Sequence, residues 1–169
     1  RGIELADSIV HEPHKILFLP NGTGDLLVRD GQAQRRAHAM SADYLPAIED
    51  DPDRPDFSEL SPELTRPFRG LRVWLPLKMH GVEPFRESLQ EKLELTRYAL
   101  DELRKIEGIE MLAEPQLSTL AFRWNPGGQE EEELNRLNRR LMKRINDRQR
   151  VLLTGTLLRG RFAIRICVL

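Results

Sequence analysis

The order of helices and strands predicted for the second half of the chain constrains its fold more than any other feature. Apolar residues from Phe85 to Leu103 recur at spacings of three, four or seven, which indicates a helix that begins near Pro84 and ends at Gly108. The pattern then predicts two strands, a second helix with an apolar inner face, and two more strands, at residues 109–113, 117–124, from 130, 151–158 and 161–169. This order describes a small α/β layer in which helices cover one face of a sheet.

For the first part of the chain, the sequence predicts fewer helices and strands. Residues 8–15 and 25–30 have the composition of short strands, and the Pro-Asn-Gly-Thr-Gly run at 20–24 allows a tight reversal between them. Residues 68–80 are apolar enough for a buried helix, interrupted by Pro76 and ended by Gly81. Two short strands cannot enclose a core by themselves, so we expect them to complete a larger sheet that this sequence does not contain.

An acidic segment separates the two regions. Residues 42–67 are rich in Pro, Asp and Glu and carry few periodic apolar residues, which predicts a long mobile loop. Loops of this length are functional lids or disordered segments, and composition alone does not choose between them. The chain opens on Arg1 rather than Met and has strand-like residues near both ends, so we expect it to be part of a longer protein.

Charge and cysteine usage narrow the functional classes. With 26 Lys and Arg against 27 Asp and Glu, the net charge of −1 argues against a dedicated nucleic-acid binder. The basic cluster of the second helix follows acidic residues in the order that the helix dipole favours, which predicts a solvated face, with nucleic-acid binding as the alternative; it comprises Arg139, Arg140, Lys143, Arg144 and Arg148. The single Cys167 favours a reducing compartment, the cytoplasm by default. No stretch approaches the roughly 20 apolar residues that span a bilayer.

One tripeptide, Pro13-His14-Lys15, contains a candidate catalytic residue. A lysine at the end of a strand, beside an imidazole and close to a glycine-rich turn, can act as a Schiff-base nucleophile. The alternative is a surface lysine next to a core or capping histidine. We predict no metal site, because His11 and His14 lie three apart on a predicted strand and would point to opposite faces.

Five short segments of the chain occur in a characteristic order. They are Ala6-Asp7-Ser8 through Pro13-His14-Lys15, Leu27-Val28-Arg29-Asp30, Asp43-Tyr44-Leu45, Phe68-Arg69-Gly70-Leu71-Arg72-Val73-Trp74 and Met79-His80-Gly81-Val82. Together they resemble the group II pyridoxal-phosphate-dependent amino-acid decarboxylases. The family includes the aromatic-amino-acid, glutamate, histidine and diaminobutyrate decarboxylases, and the resemblance covers essentially all 169 residues.

The resemblance implies a fold, a cofactor and an assembly. The fold is the α/β aspartate-aminotransferase-like fold type I, with residues 1–67 as the end of the large cofactor-binding domain and 68–169 as a linking helix and the small C-terminal domain. Lys15 matches the lysine that forms the Schiff base with pyridoxal 5'-phosphate, and His14 matches its neighbour at the cofactor site. The enzyme would be a homodimer with the active site at the interface, where a mobile acidic loop, about 50–65, reaches over the partner's site. The residues that bind the pyridine nitrogen would belong to an N-terminal segment upstream of Arg1.

The implied function is decarboxylation of an L-amino acid to an amine and carbon dioxide, which makes the protein a lyase. Phe57 falls at the loop position where many relatives carry a tyrosine that donates a proton. In some plant relatives that replacement accompanies aldehyde formation by oxidative deamination, so aldehyde synthesis is one alternative. A non-catalytic dimerisation or scaffold fragment is another. Glu12 stands where relatives often have Asn or Asp, and Arg69 and Arg165 are expected to be structural rather than substrate-binding.

Overall fold

The computed structural model describes residues 2–40 and 56–169. The chain divides into two compact units, Arg1–Gly81 and Val82–Leu169. The first contains β1 (Ser8–His11), α1 (Pro13–Ile16), β2 (Asp25–Val28), α2 (Gly31–His38) and α3 (Leu71–His80), with 3-10 turns at Ile3–Leu5 and Phe57–Leu60. The second contains α4 (Glu83–Arg104), β3 (Ile109–Ala113), β4 (Thr119–Trp124), α5 (Glu131–Asn146), β5 (Thr154–Leu158) and β6 (Arg161–Cys167).

The second unit confirms the predicted order of helix, strand, strand, helix, strand, strand. Its four strands form one antiparallel sheet in the order β3-β4-β6-β5. Phe122 of β4 pairs with Ile164 of β6, so their side chains share one face, and α4 contributes Leu100 to it. The buried core is Leu100, Leu120, Phe122, Phe162 and Ile164. Alternation on β4 and β6 therefore places the apolar face as the sequence predicted.

Two inward-facing asparagines of α5 bind backbone groups outside the helix. Asn138 is 0% exposed; its Oδ1 accepts from the Trp124 N–H at 2.7 Å, and its Nδ2 donates to the Trp124 carbonyl at 2.8 Å. Asn146 makes the same two-way contact with Leu153, at 2.8 and 2.9 Å. These side chains form hydrogen bonds with the backbone N–H and carbonyl of Trp124, which ends β4, and of Leu153, just before β5. Within the described sheet, no neighbouring strand pairs with these backbone groups.

In the first unit, β1 and β2 pair antiparallel from Ser8 opposite Val28 to His11 opposite Asp25, as the predicted reversal between the two strands allows. The prediction that the first strand runs to residue 15 is wrong. Pro13 begins the one-turn helix α1, since its missing N–H and fixed φ suit a first helical position better than a strand interior. The helix α2 was not predicted from the sequence. Asp30 caps its N-terminus by accepting a hydrogen bond from the Ala33 N–H at 3.0 Å.

The helix predicted at 68–80 is present as α3, but its predicted burial is wrong. None of its residues is buried, and Trp74 is 58% exposed. Burial needs apolar side chains from other elements, and the described part of the first unit supplies too few of them. The structure places α3 in the first unit, whereas the resemblance assigns it to the C-terminal domain, so the domain division stays a prediction.

Part of the predicted acidic loop lies outside the described residues, as does the Asp43-Tyr44-Leu45 segment. The described part begins at Asp56, which accepts from the Ser58 N–H at 2.9 Å and starts the turn Phe57–Leu60. This turn is tied to α2, because Gln34 Nε2 donates to the Leu60 carbonyl at 2.8 Å. Through the described ranges, no helix combines the length and hydrophobicity needed to cross a membrane.

Candidate functional site

Lys15 lies on α1, in the connection from β1 to β2. Its Nζ forms an ion pair with the carboxylate of Glu12, three residues earlier, and its side chain is 64% exposed. The Lys15 N–H donates to the Glu12 carbonyl at 2.9 Å, so the turn that holds the backbone also brings the two side chains together. The amine is thus accessible at the junction of a strand and a helix rather than packed inside this chain.

The neighbouring His14 is half-buried and its ring is fixed. Nδ1 lies 2.7 Å from the carbonyl oxygen of Thr23. A carbonyl only accepts hydrogen bonds, so Nδ1 carries the hydrogen and donates it. In the neutral ring, Nε2 then keeps its lone pair, which makes it the nitrogen able to accept a proton or a hydrogen bond.

The loop that anchors His14 is held in place from α3. Thr23 is 2% exposed, and Arg72 Nη1 donates to the Asn21 carbonyl at 2.8 Å. Gly22 has a φ of +84°, a conformation in which glycine is favoured. The glycine-rich run at 20–24 is therefore a support for the imidazole, a role that its turn-forming composition did not reveal.

The Glu12 carboxyl responds to two neighbours, Lys15 and His14. The pKa of the Glu12 carboxyl is lowered from its usual 4.5, mainly by the hydrogen bond from Lys15 and also by the charges of Lys15 and His14. Glu12 is therefore a carboxylate at neutral pH. In the described part of the chain it is the only carboxylate that pairs with Lys15.

The other predicted residues make contacts of their own. The Phe57 side chain is 63% exposed in the turn beside α2, and the Phe57 carbonyl accepts from Arg66 at 2.7 Å. Arg165 donates to Thr154 Oγ1 of the adjacent strand at 3.0 Å, as expected of a structural arginine. Arg69 is exposed, and its backbone carbonyl accepts a hydrogen bond from the Arg72 N–H at 3.0 Å.

His11 bonds to Asp25 at 3.3 Å across β1 and β2, through its Nδ1. Over residues 2–40 and 56–169, no group of three or more His, Cys, Asp or Glu side chains is placed to hold a metal. The pair His11 and His14, rejected above as ligands because of strand alternation, is in fact divided by the end of β1.

The second unit contains a cavity that the sequence analysis missed. Its volume is about 660 Å³, and it lies between the C-terminal half of α5 and the residues before β5. Its lining consists of apolar side chains flanked by arginines, namely Trp124, Leu137, Arg140, Leu141, Arg144, Ile145, Arg148, Arg150 and Val151. Leu137, Leu141 and Ile145, predicted as the inner face of the helix, are thus only partly covered. All five residues of the basic cluster are exposed, as a solvated face requires.

Comparison with known proteins supplies the family. A model of the pyridoxal-dependent decarboxylase conserved domain matches residues 1–125. The chain is 32% identical to an aromatic-L-amino-acid decarboxylase of Bacillus atrophaeus over 169 residues, 99% of this chain and 35% of that protein. It is 33% identical to an L-2,4-diaminobutyrate decarboxylase of Acinetobacter baumannii over 138 residues, 81% of this chain and 27% of that protein.

Structural comparison supports the same family as these sequence relatives. Oryza sativa TDC, crystallised with PLP and tryptamine, superposes with a TM-score of 0.88 at 27% identity, covering 99% of this chain and 35% of that one. The chain spans about a third of the length of the curated relatives it matches. Because the family model covers most of the chain and the fold agrees with a solved relative, the chain belongs to the pyridoxal-dependent decarboxylase family.

Proposed function

We propose that the protein carrying this chain decarboxylates an L-amino acid to an amine and carbon dioxide, with pyridoxal 5'-phosphate bound as a Schiff base on Lys15. The observation that carries the proposal is the position of Lys15 on α1, beside an imidazole of fixed orientation, within the part of the chain that the family model matches. Substrates named for relatives include aromatic amino acids and diaminobutyrate, so the side-chain class of the substrate stays open.

The donor set of the chain fits such a cofactor. A primary amine is the group that condenses with an aldehyde, and the Lys15 amine is reachable from solvent. His14 adds an imidazole whose Nε2 is available, because Nδ1 is committed to the Thr23 carbonyl. When bound, the cofactor supplies the sink for the electrons that remain as carbon dioxide leaves.

The residues of this chain would then present the Lys15 amine and orient the His14 ring. The one-turn helix α1 fixes the Lys15 backbone, so only the flexible side chain has to move to meet a carbonyl. The loop around Thr23 keeps the His14 ring from rotating, and Arg72 restrains that loop from α3. A lid over the site would exclude water and stray acids from the reacting groups. We assign that role to the acidic segment 50–65.

The assembly and location follow from the same proposal. The protein is proposed to act as a homodimer in the cytoplasm on a small amino acid, with the remaining active-site residues supplied by an upstream N-terminal segment and by the partner subunit. The single cysteine, Cys167, is exposed and accepts a weak hydrogen bond from Thr119 Oγ1 at 3.3 Å. A single cysteine supports a reducing compartment.

Mapping the reactive lysine tests the proposal. The complete natural polypeptide is mixed with pyridoxal phosphate, reduced with borohydride and digested, and the modified peptide is identified. We expect labelling confined to the peptide that contains Lys15, and its loss in Lys15→Ala. Lys105 is the matched control, because it is 68% exposed and pairs with Glu102 at the same spacing of three residues. Equal labelling of Lys15 and Lys105 would instead favour the non-catalytic scaffold.

A second candidate function, aldehyde synthesis, rests on Phe57. If this residue occupies the loop position of a proton-donating tyrosine, its ring has no proton to give, and oxidative deamination competes with protonation. Product analysis distinguishes the two reactions. Oxidative deamination consumes dioxygen as the two-electron oxidant and one water, and it releases aldehyde, carbon dioxide, ammonia and hydrogen peroxide. These products would identify the synthase, whereas amine and carbon dioxide alone identify the simple decarboxylase, and Phe57→Tyr would shift a synthase toward amine.

A further inference from the structure

The Glu12–Lys15 ion pair is the feature of the site that the proposed function leaves unexplained. The two side chains are 46% and 64% exposed, and α1 holds them on the same side of one helical turn. The imidazole of His14 also lies near the Glu12 carboxylate, and its Nδ1 donates to the Thr23 carbonyl. Glu12 is therefore the principal electrostatic partner of the amine.

An ion pair of this kind opposes the reaction that Lys15 is proposed to undergo. To form a Schiff base, the ammonium group must first release a proton to solvent. The neutral amine then adds to the aldehyde carbon, and the former carbonyl oxygen leaves as water. A neighbouring carboxylate stabilises the ammonium form and draws the nitrogen toward itself, so it acts against both the loss of the proton and the approach to the carbonyl.

We propose that Glu12 is a positioning residue that restrains Lys15 before cofactor capture, so that the amine reaches the aldehyde only when the Glu12–Lys15 pair breaks. The inference rests on the proposed function, since it concerns the same lysine. Exposed ion pairs are weak, so the restraint should slow capture by at most about fivefold. It is a brake on loading of the cofactor rather than a block.

The test compares the rate at which cofactor-free protein captures pyridoxal phosphate at neutral pH, using the complete natural polypeptide. The readouts are the absorbance of the imine and the amount of borohydride-reduced Lys15 peptide at fixed times, neither of which needs substrate turnover. We expect Glu12→Gln to capture the cofactor about two- to fivefold faster than the unaltered protein. Glu102→Gln is the matched control, because it breaks the equally spaced pair with Lys105, where Glu102 is also 46% exposed; its rate should be unchanged.

Two further arms separate the ion pair from other effects of the charge. Pyridoxal without its phosphate should show the same gain in Glu12→Gln; a gain seen only with pyridoxal phosphate would overturn the proposal in favour of repulsion between Glu12 and the phosphate. Raising the salt concentration should bring the unaltered protein closer to Glu12→Gln, because salt screens exposed pairs.

The outcomes also distinguish this inference from the proposed function. If Lys15 is labelled in both proteins and Glu12→Gln is no faster, Glu12 does not restrain the amine, although Lys15 remains the reactive lysine. If no protein is labelled at Lys15, the proposed function and the restraint both fail. Circular dichroism of each variant ensures that a slower rate does not come from misfolding.

Discussion

At the scale of single residues, backbone conformation and close packing restrict which residue type position 108 can hold. Gly108 ends the segment after α4 with a φ of +79°, which favours glycine. A Cβ at this position would lie 2.8 Å from Nε1 of Trp124 and 3.1 Å from the Asn125 carbonyl oxygen. The helix end predicted from the sequence is thus also a close packing point between two chain segments.

Substituting this glycine should therefore destabilise the protein through two effects. We expect Gly108→Ala to lower the free energy of unfolding by about 2–4 kcal/mol, from backbone strain together with the contact with Trp124. Gly160→Ala is the matched control: its φ of +81° is nearly the same, but a Cβ there meets nothing within 4 Å. Urea denaturation of both variants gives the difference. Equal losses would show that the contact with Trp124 contributes nothing.

At the scale of elements, α5 is joined to the sheet by asparagines as well as by apolar packing. Asn138 contacts both backbone groups of Trp124 and also donates to the Leu134 carbonyl at 2.9 Å. Asn135 accepts from the Phe162 N–H at 2.5 Å. Apolar periodicity identified this helix correctly, but it treats an asparagine as a surface residue, so the buried amide escaped the sequence analysis.

Removal of the Asn138 amide should cost far more than a change on the exposed face of the same helix. We expect Asn138→Leu to lower the free energy of unfolding by about 2–4 kcal/mol, because the Trp124 N–H and carbonyl lose their partner in a buried place. Glu132→Ala, exposed on the same helix, should change the stability by less than about 0.5 kcal/mol. Thermal or urea unfolding measures both. A loss below about 1 kcal/mol for Asn138→Leu would mean that water replaces the amide.

At the scale of the whole molecule, the two units differ in how they are held together. The cluster of buried apolar side chains lies in the second unit, whereas the described part of the first unit buries little beyond Pro13, Leu19 and Thr23. An ion network also joins the elements of the second unit: Arg123 on β4 contacts Glu110 on β3 at 2.7 Å and Glu131 on α5 at 2.6 Å. Arg123 is nearly buried, with 5% of its side chain exposed.

This network should make the second unit sensitive to acid. The hydrogen bond from Arg123 lowers the pKa of Glu110 below its usual 4.5 in the folded state. The unfolded chain therefore binds the proton first as the pH falls, so the stabilisation is complete above pH 4.5 and is lost as the pH drops through the lower folded value. We expect stability to fall in this range less steeply in Glu110→Gln, which is less stable at neutral pH. Urea midpoints from pH 7 to pH 3 check the slopes, and parallel curves would contradict the prediction.

The sequence by itself determined the order of the elements in the second unit, the pairing of β1 with β2 and the family, because periodicity, turn residues and short motifs are local properties of the chain. Only the tertiary structure decided that Lys15 faces Glu12, that the Thr23 carbonyl orients His14, that Asn138 is buried and that α3 is not. Each of these depends on which side chains meet after the chain has folded, and at residue 13 the restricted backbone of proline overrode a strand-like composition.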